Sequence, residues 1–436
     1  MTAFDLSLLP RSATVDETGS ASVGGVALVD LAAEFGTPLY VYDEGELRAR
    51  CREYVEIFGA DAAYASKAFS CLAMARLVAE EGLGIDVATG GELHVALTAG
   101  FPPQRIVVHG NNKSEDELRR AIAARVGRIV VDSFDELARI ERLVHLGEHV
   151  PALQVRVTPG VEAGTHAFIE TGTEDSKFGL GLDNGDALAA ALRIAGHPAL
   201  RLAGLHCHIG SQVLDVDAFT RALEKMVGLV RVFEERAKAT VDELNVGGGL
   251  GVRYLPEDTP VSIAQYGAIM RDVFEKALAE AGVRSRPTLM TEPGRSIAAP
   301  AGLTLYRVGT IKTIPDMRTY VAVDGGMSDN LRPVTYGARY EAFLPARATA
   351  ARELVATIAG KHCEQGDLLV RDASLPADLA VGDVLAVPVT GAYGHSLASN
   401  YNKVTRPAVV FVRDGAARVV VRRETDEDLV RLDVDG

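Results

Sequence analysis

The stretch Tyr64-Ala65-Ser66-Lys67-Ala68 ends a short apolar run in a lysine. An ammonium at the end of a buried strand carries a large desolvation penalty if it stays unpaired. The stem can snorkel and return the nitrogen to water, or the amine can be a reactive group that condenses with a carbonyl as an imine. Three further clusters have the composition for chemistry. Asn245-Val246-Gly247-Gly248-Gly249-Leu250-Gly251 holds consecutive glycines, which let backbone N–H groups close on an anion without Cβ interference, or simply form a flexible turn. Thr291-Glu292-Pro293-Gly294-Arg295-Ser296 sets a carboxylate three residues before a guanidinium whose planar fork suits a carboxylate or a phosphate; an internal Glu–Arg ion pair is the plainer reading. His206-Cys207-His208-Ile209-Gly210-Ser211-Gln212 puts two imidazoles on one face of an extended chain, followed by a hydroxyl that could donate to a phosphate.

A reactive lysine, an anion loop and a carboxylate able to keep a pyridine nitrogen protonated fit one cofactor, pyridoxal phosphate. A metal held by His206, His208 and an aspartate is the competing use of the imidazoles. Acidic residues near them are few and glycines of the phosphate-binding kind dominate, so no metal is expected. An imidazole lying flat on a cofactor ring fits the pair better.

The elements that must hold these residues alternate. Apolar strand-like runs at Ala62–Ser66, Gly84–Ala88, Arg105–His109, Arg128–Asp132, Ala152–Thr158, Leu202–His208, Glu243–Val246 and Pro287–Glu292 are separated by amphipathic helical stretches such as Gly90–Ala99, Ser114–Ala124, Phe134–Leu146, Asp186–Ala195, Val216–Lys238 and Ser262–Ala281. Eight β–α alternations over about 240 residues match one (β/α)8 TIM barrel. An open doubly wound sheet competes, but its GxGxxG loop after the first strand is missing. The carboxyl ends of the eight runs carry Lys67, Asp86, His109 with Asn111, Asp132, Arg156, His206 with His208, Gly247 to Gly249, and Glu292 with Arg295. In a barrel these ends converge on one rim, where active sites of that fold lie. The barrel is expected over residues 45–299. After residue 300, short strands joined by turns (Leu303–Thr313, Arg318–Val323, Leu368–Val370, Val384–Pro388, Ala408–Arg413, Ala417–Arg422) predict a second, all-β domain, sandwich or barrel-like. Residues 1–44, read as irregular up to the strand Pro38–Tyr42, contribute that N-terminal strand to it and complete a domain of 1–44 plus 300–436.

The chain has 436 residues, 47% hydrophobic and 24% charged, with a formal net charge of −14. Without basic runs this excludes nucleic acid and anionic membranes as partners. No apolar run approaches the roughly 20 residues that span a bilayer. Cys51, Cys71, Cys207 and Cys363 are scattered without pairing or metal-ligand spacing, which suits a reducing cytoplasm. The N-terminus lacks the basic start of a signal peptide, so a cytoplasmic location is expected.

The motifs above, with Asp324 to Pro333, Cys363-Glu364-Gln365-Gly366-Asp367 and Gly391-Ala392-Tyr393-Gly394-His395 through Asn402, resemble the fold-type III, alanine-racemase-like pyridoxal-phosphate decarboxylases over residues of about 35 to 430. The barrel motifs are common to the whole superfamily. The regions around Arg332-Pro333, Cys363-Glu364 and Tyr393 are similar to its diaminopimelate branch. The resemblance implies decarboxylation of meso-2,6-diaminoheptanedioate to L-lysine and carbon dioxide, the last step of lysine biosynthesis. It implies Lys67 as the Schiff-base lysine, His208 on the cofactor ring, Glu292 on its nitrogen, and Asp86 beside it. Ser211, Gly247, Gly248, Gly249, Gly294, Arg295 and Tyr401 would hold the cofactor phosphate. Arg295, Arg332, Tyr336 and Tyr393 would contact substrate. Cys363, a candidate proton donor, and Glu364, facing the distal amine, would come from the neighbouring subunit of a head-to-tail homodimer whose active sites are shared. Gln365 and His395 depart from the branch's usual residues, both at the substrate end. Other readings are a decarboxylase of ornithine, arginine or carboxynorspermidine, a racemase, and a non-catalytic pyridoxal-phosphate protein.

Overall fold

The computed structural model describes residues 3–145, 151–162, 172 and 176–434. The chain forms two compact units, one of Arg50–Gly251 with Pro260–Ser296, the other of Met1–Ala49 with Val252–Thr259 and Ile297–Gly436.

The first unit is built on eight parallel strands: β1 (Ala63–Ala65), β2 (Gly84–Val87), β3 (Ile106–Val108), β4 (Arg128–Val131), β5 (Ala152–Thr158), β6 (Leu202–Cys207), β7 (Glu243–Asn245) and β8 (Thr288–Met290). Each pairs with the next in sequence. A parallel bridge between Ala62 and Thr291 joins the last strand to the first. There the Ala63 N–H donates to Thr291 O at 2.9 Å and the Ala65 N–H to Pro293 O at 3.0 Å. The sheet therefore closes into a barrel, as the alternation requires. Between the strands run α1 (Leu72–Glu80), α2 (Gly90–Thr98), α3 (Glu115–Ala123), α4 (Phe134–His145), α5 (Asp186–Gly196), α6 (Val216–Ala237) and α7 (Ile263–Ala281). Capping chemistry sets their starts: Ser114 with Glu117 and Ser262 with Gln265 form reciprocal capping boxes, which satisfy two orphan N–H groups each. Leu146, expected to end the fourth helix, lies outside the described residues. Strands such as β3, buried along all of Ile106–Val108, read as unbroken apolar runs because a parallel barrel covers both faces.

The second unit is mostly β. Its sheet runs in the order Leu368–Leu375, Leu354–Ala359, Arg318–Val323, Gly302–Ile314, Leu39–Asp43, Ala408–Arg413, Ala416–Val421, with Val384–Pro388 also paired to Gly302–Ile314. The N-terminal strand Leu39–Asp43 is an interior strand, buried at all five positions, antiparallel to Gly302–Ile314 and parallel to Ala408–Arg413. Its expected membership of the β domain holds.

One expectation is corrected. Residues 1–44 are not irregular before that strand: Thr14–Val15, Ala21–Val23 and Val26–Ala27 form a small antiparallel sheet, and Leu28–Phe35 is a helix. Leu28, Leu31 and Ala32 make its buried stripe at helical spacing, and Gly36 ends it at φ 69°. The domain is mostly β, as expected, and carries this helix as well. The strand Leu354–Ala359, with only Thr357 polar, shows no alternation in its sequence that would have predicted it. Among the described residues no helix is long and apolar enough to cross a membrane.

Candidate active site

Glu292 lies just beyond β8 and is almost wholly buried. Its Oε1 is 2.8 Å from His109 Nε2 and accepts from Asn245 Nδ2 at 2.8 Å; its Oε2 is 3.0 Å from His206 Nε2. Three strands other than its own supply these partners. Burial alone would raise the carboxyl's pKa, but the two imidazoles outweigh it and hold it well below the usual range. Burial pushes His206 down to about 4, so its ring is neutral and donates through Nε2. Burial also opposes charge on His109, yet Asp86 and Glu292 raise its pKa above the ordinary value. Asp86 Oδ1 is 3.9 Å from His109 Nε2, and burial pushes this carboxyl up to about 6.

Lys67 follows β1 on a short 3-10 turn and is exposed between buried Ser66 and Ala68. The register pairs Ala65 with Asp86 on β2. Gly294 faces the same turn: a Cβ there would stand 3.0 Å from Ala65 Cβ and 3.1 Å from Ala68 Cβ. Its missing side chain lets the end of β8 pack against the lysine turn.

The glycine loop is tightly enclosed. A Cβ on Gly248 would stand 2.0 Å from Glu292 O, and one on Gly249, at φ 117°, would stand 2.3 Å from Gly210 O. A Cβ on Gly247 would meet His208 Nδ1 at 3.0 Å, so the half-buried His208 lies against the loop. Enclosure and the positive neighbours Lys67 and Arg156 keep the His208 pKa well below its ordinary value. Arg295 Nη2 donates to Ser211 Oγ at 2.8 Å. The N–H groups of Gly248 and Gly249 have no backbone acceptor among the described residues. Lys67, Asp86, His208, Ser211, Gly247, Gly248, Gly249, Glu292, Gly294 and Arg295 thus gather at one end of the barrel.

These residues fit pyridoxal phosphate. An ionised carboxylate has about four lone-pair positions, and three on Glu292 are filled, which leaves one for a ring N–H. The loop offers unclaimed N–H groups with no room for side chains. His109, His206 and Glu292 have metal-ligand atoms within 4.8 Å of one another, but each imidazole Nε2 is committed to the carboxylate. The metal reading had paired His206 with His208; His208 is not in that cluster.

In the second unit two further groups form. Arg332 and Tyr336 share the short helix Arg332–Tyr336. Arg332 is buried, its Cζ lies 4.7 Å from the Tyr254 ring centre and 5.5 Å from that of Tyr340, and it donates to Tyr340 Oη. Burial opposes its charge, but Tyr254, Tyr340 and Tyr393 raise its pKa above the usual arginine value. No carboxylate among the described residues pairs with it. In the other group, Cys363 and Glu364 are exposed on one turn. The Cys363 N–H donates to Asn402 Oδ1 at 3.0 Å, and Tyr401 Oη is 3.4 Å from Glu364 Oε2. Cys363 is the one exposed cysteine of the four.

His109 and Asp132 stand just beyond β3 and β4, and Arg156 lies two residues before the end of β5. Arg156 Nη1 lies 3.8 Å from Asp132 Oδ1, with its Cζ 4.4 Å from the Phe178 ring centre. Asn245 heads the glycine motif without an assigned role; its place beside Glu243 on one face of β7, directly before the glycines, was the available signal.

A family model for the pyridoxal-binding domain of pyridoxal-dependent decarboxylases matches residues 44–299. The chain is 49% identical over 435 residues to the diaminopimelate decarboxylase of Mycobacterium tuberculosis, covering 98% of this chain and 97% of that one. It is 46% identical over 424 residues to that of Bacillus subtilis, covering 96% of each. The crystal structure of the M. jannaschii diaminopimelate decarboxylase in complex with L-lysine superposes with a TM-score of 0.89 at 33% identity, covering 98% of both chains.

Proposed function

The chain belongs to the diaminopimelate decarboxylases, within the pyridoxal-dependent decarboxylase family, and on that premise we propose that it converts meso-2,6-diaminoheptanedioate to L-lysine and carbon dioxide, the last step of lysine biosynthesis. One carboxylate leaves as carbon dioxide, its bonding pair stays on the α-carbon, and a proton takes the vacated position. Pyridoxal phosphate, when bound, supplies the electron sink for that pair.

The observation that carries the reading is Glu292, an ionised buried carboxylate with its orientation set by His109, His206 and Asn245 and one acceptor position open. It would hold a ring N–H and keep the ring cationic. Lys67 Nζ, exposed on its turn, would be the amine that takes the cofactor's carbonyl. His208 would cover one ring face from its place against the glycine loop. The backbone of Gly247 to Gly249 and Gly294, with Ser211 and Arg295, would hold the phosphate, and Asp86 would sit beside the ring.

A substrate with two amino-acid ends needs a second carboxylate partner. Arg332, charged, stacked on two phenols and without a carboxylate of its own, meets that need, with Tyr336, Tyr393 and Arg295 as further contacts. Cys363 Sγ would return the proton to the α-carbon, and Glu364 would face the distal ammonium. Both stand exposed, as residues donated to the site of a second copy in a homodimer must be. We place the enzyme in the cytoplasm.

The test is carbon dioxide release and L-lysine formation from meso-diaminopimelate by purified protein with added pyridoxal phosphate. Equal kcat/KM on ornithine or arginine would overturn the substrate assignment. Unchanged turnover in Cys363→Ala would remove the thiol from proton return.

A further inference from the structure

Asn245 closes β7, is wholly buried, and has no part of its own in the chemistry above beyond its bond to Glu292. Its amide ties two different parts of the site. Nδ2 donates to Glu292 Oε1 at 2.8 Å, while Oδ1 accepts from the Gly247 N–H at 2.9 Å. These partners settle which end of the amide is which, since a backbone N–H demands the oxygen and an ionised carboxylate demands the NH2. The amide is also supported from deeper in the barrel. Gln154 Oε1 lies 3.4 Å from Asn245 Nδ2, and Gln154 Nε2 donates to Glu243 Oε2 at 2.7 Å. Arg128 grips Glu243 through bonds of 2.8 and 2.6 Å. A polar chain thus runs through the barrel interior, from an ion pair at the first residues of β4 and β7 to the carboxylate beyond β8.

An amide that served only to satisfy the Gly247 N–H would not need this depth of support or a second bond to Glu292. A rigid ring with a nitrogen on one side and a phosphate on the other needs a carboxylate and an anion loop at a set separation. We propose that Asn245 is a positioning residue that locks Glu292 and the glycine loop to each other, so that the ring-nitrogen partner and the phosphate cradle move as one body. This inference rests on the pyridoxal-phosphate reading of the site.

Two substitutions separate the two bonds. Asn245→Ala removes both. Asn245→Asp keeps shape and an oxygen for the Gly247 N–H, but sets a second carboxyl group against Glu292, and two carboxylates in contact cannot both ionise. The readouts are pyridoxal-phosphate affinity of the apoprotein by absorbance titration, and the pH profiles of the bound chromophore and of kcat. Asn245→Asp is expected to keep cofactor affinity within about threefold while the acid limb of both profiles moves up by about one pH unit or more. Asn245→Ala is expected to weaken cofactor binding about tenfold. Adding Glu292→Gln to Asn245→Asp removes the carboxyl clash and is expected to recover any thermal stability that the single change loses; this cycle keeps the test alive if the alanine variant fails to fold. An unshifted pH profile in Asn245→Asp, or parental affinity in Asn245→Ala, overturns the proposal. Failure of the parent protein to bind pyridoxal phosphate overturns the cofactor reading beneath it, which is a different result.

Discussion

Lys113 and Glu136 form an ion pair at 2.7 Å with side chains only 2% exposed. The ammonium also donates to Gly110 O at 2.7 Å and Val130 O at 2.8 Å, and Glu136 Oε2 accepts from the Asp132 N–H at 2.9 Å. The pair therefore braces the carboxyl ends of β3 and β4, next to His109 and Asp132. Lys113→Met keeps length and most of the packing while deleting the charge. It leaves a buried carboxylate without its cation and two carbonyls without their donor, and breaking a buried pair in this way is expected to remove about 3–5 kcal/mol of stability. Lys113→Met/Glu136→Met removes both charges and should recover most of that loss, because apolar replacements of buried pairs are often close to neutral. The Asp132 N–H would still lack its acceptor and the Gly110 and Val130 carbonyls their ammonium donor, so at least about 1 kcal/mol of the loss remains. Urea denaturation measures both variants where refolding is reversible. Where it is not, unfolding rates serve, and the single variant should unfold at least about 100-fold faster if the loss falls on that step. A Lys113→Met midpoint within about 1 kcal/mol of the parent, or a double variant no more stable than the single one, refutes the argument.

Asp86 is a carboxyl with its folded pKa raised by burial, from 3.8 to about 6. Its stabilising contribution is fully present below about pH 4 and is lost as pH rises through about 6, so Asp86→Asn should gain on the parent across that window by roughly 3 kcal/mol, read from denaturation midpoints of the cofactor-free protein; parallel curves would count against the assignment. Gly248→Ala places a Cβ 2.0 Å from Glu292 O, so the loop must shift, and cofactor affinity measured by titration should fall about tenfold or more. Arg332→Lys keeps the charge and loses the planar fork between Tyr254 and Tyr340, so KM for meso-diaminopimelate should rise about tenfold with cofactor affinity unchanged; an unchanged KM would remove Arg332 from substrate binding.

The barrel was legible because its strands are buried on both faces and its helices on one, and both periods are written into residue order. Ala152–Thr158 and Arg318–Val323 were bounded from that pattern alone. The helix Leu28–Phe35 escaped because its stripe is only two turns long and lacks a side-chain cap. Lys67, Glu292 and the Gly247 to Gly249 run stood out by being the wrong residues for a strand end unless chemistry needs them there. Their environments did not follow from the sequence. Nothing in the order of residues says that Glu292 is shared by His109, His206 and Asn245, because those bonds cross 183, 86 and 47 positions of chain and exist only once the barrel closes. Residue types and their spacing determined the barrel and pointed to a cofactor of the pyridoxal class, since hydrophobic period and glycine content are local properties. The tertiary structure alone decided which groups are charged, because the pKa of a buried side chain depends on neighbours that the fold, not the sequence, brings within hydrogen-bonding distance.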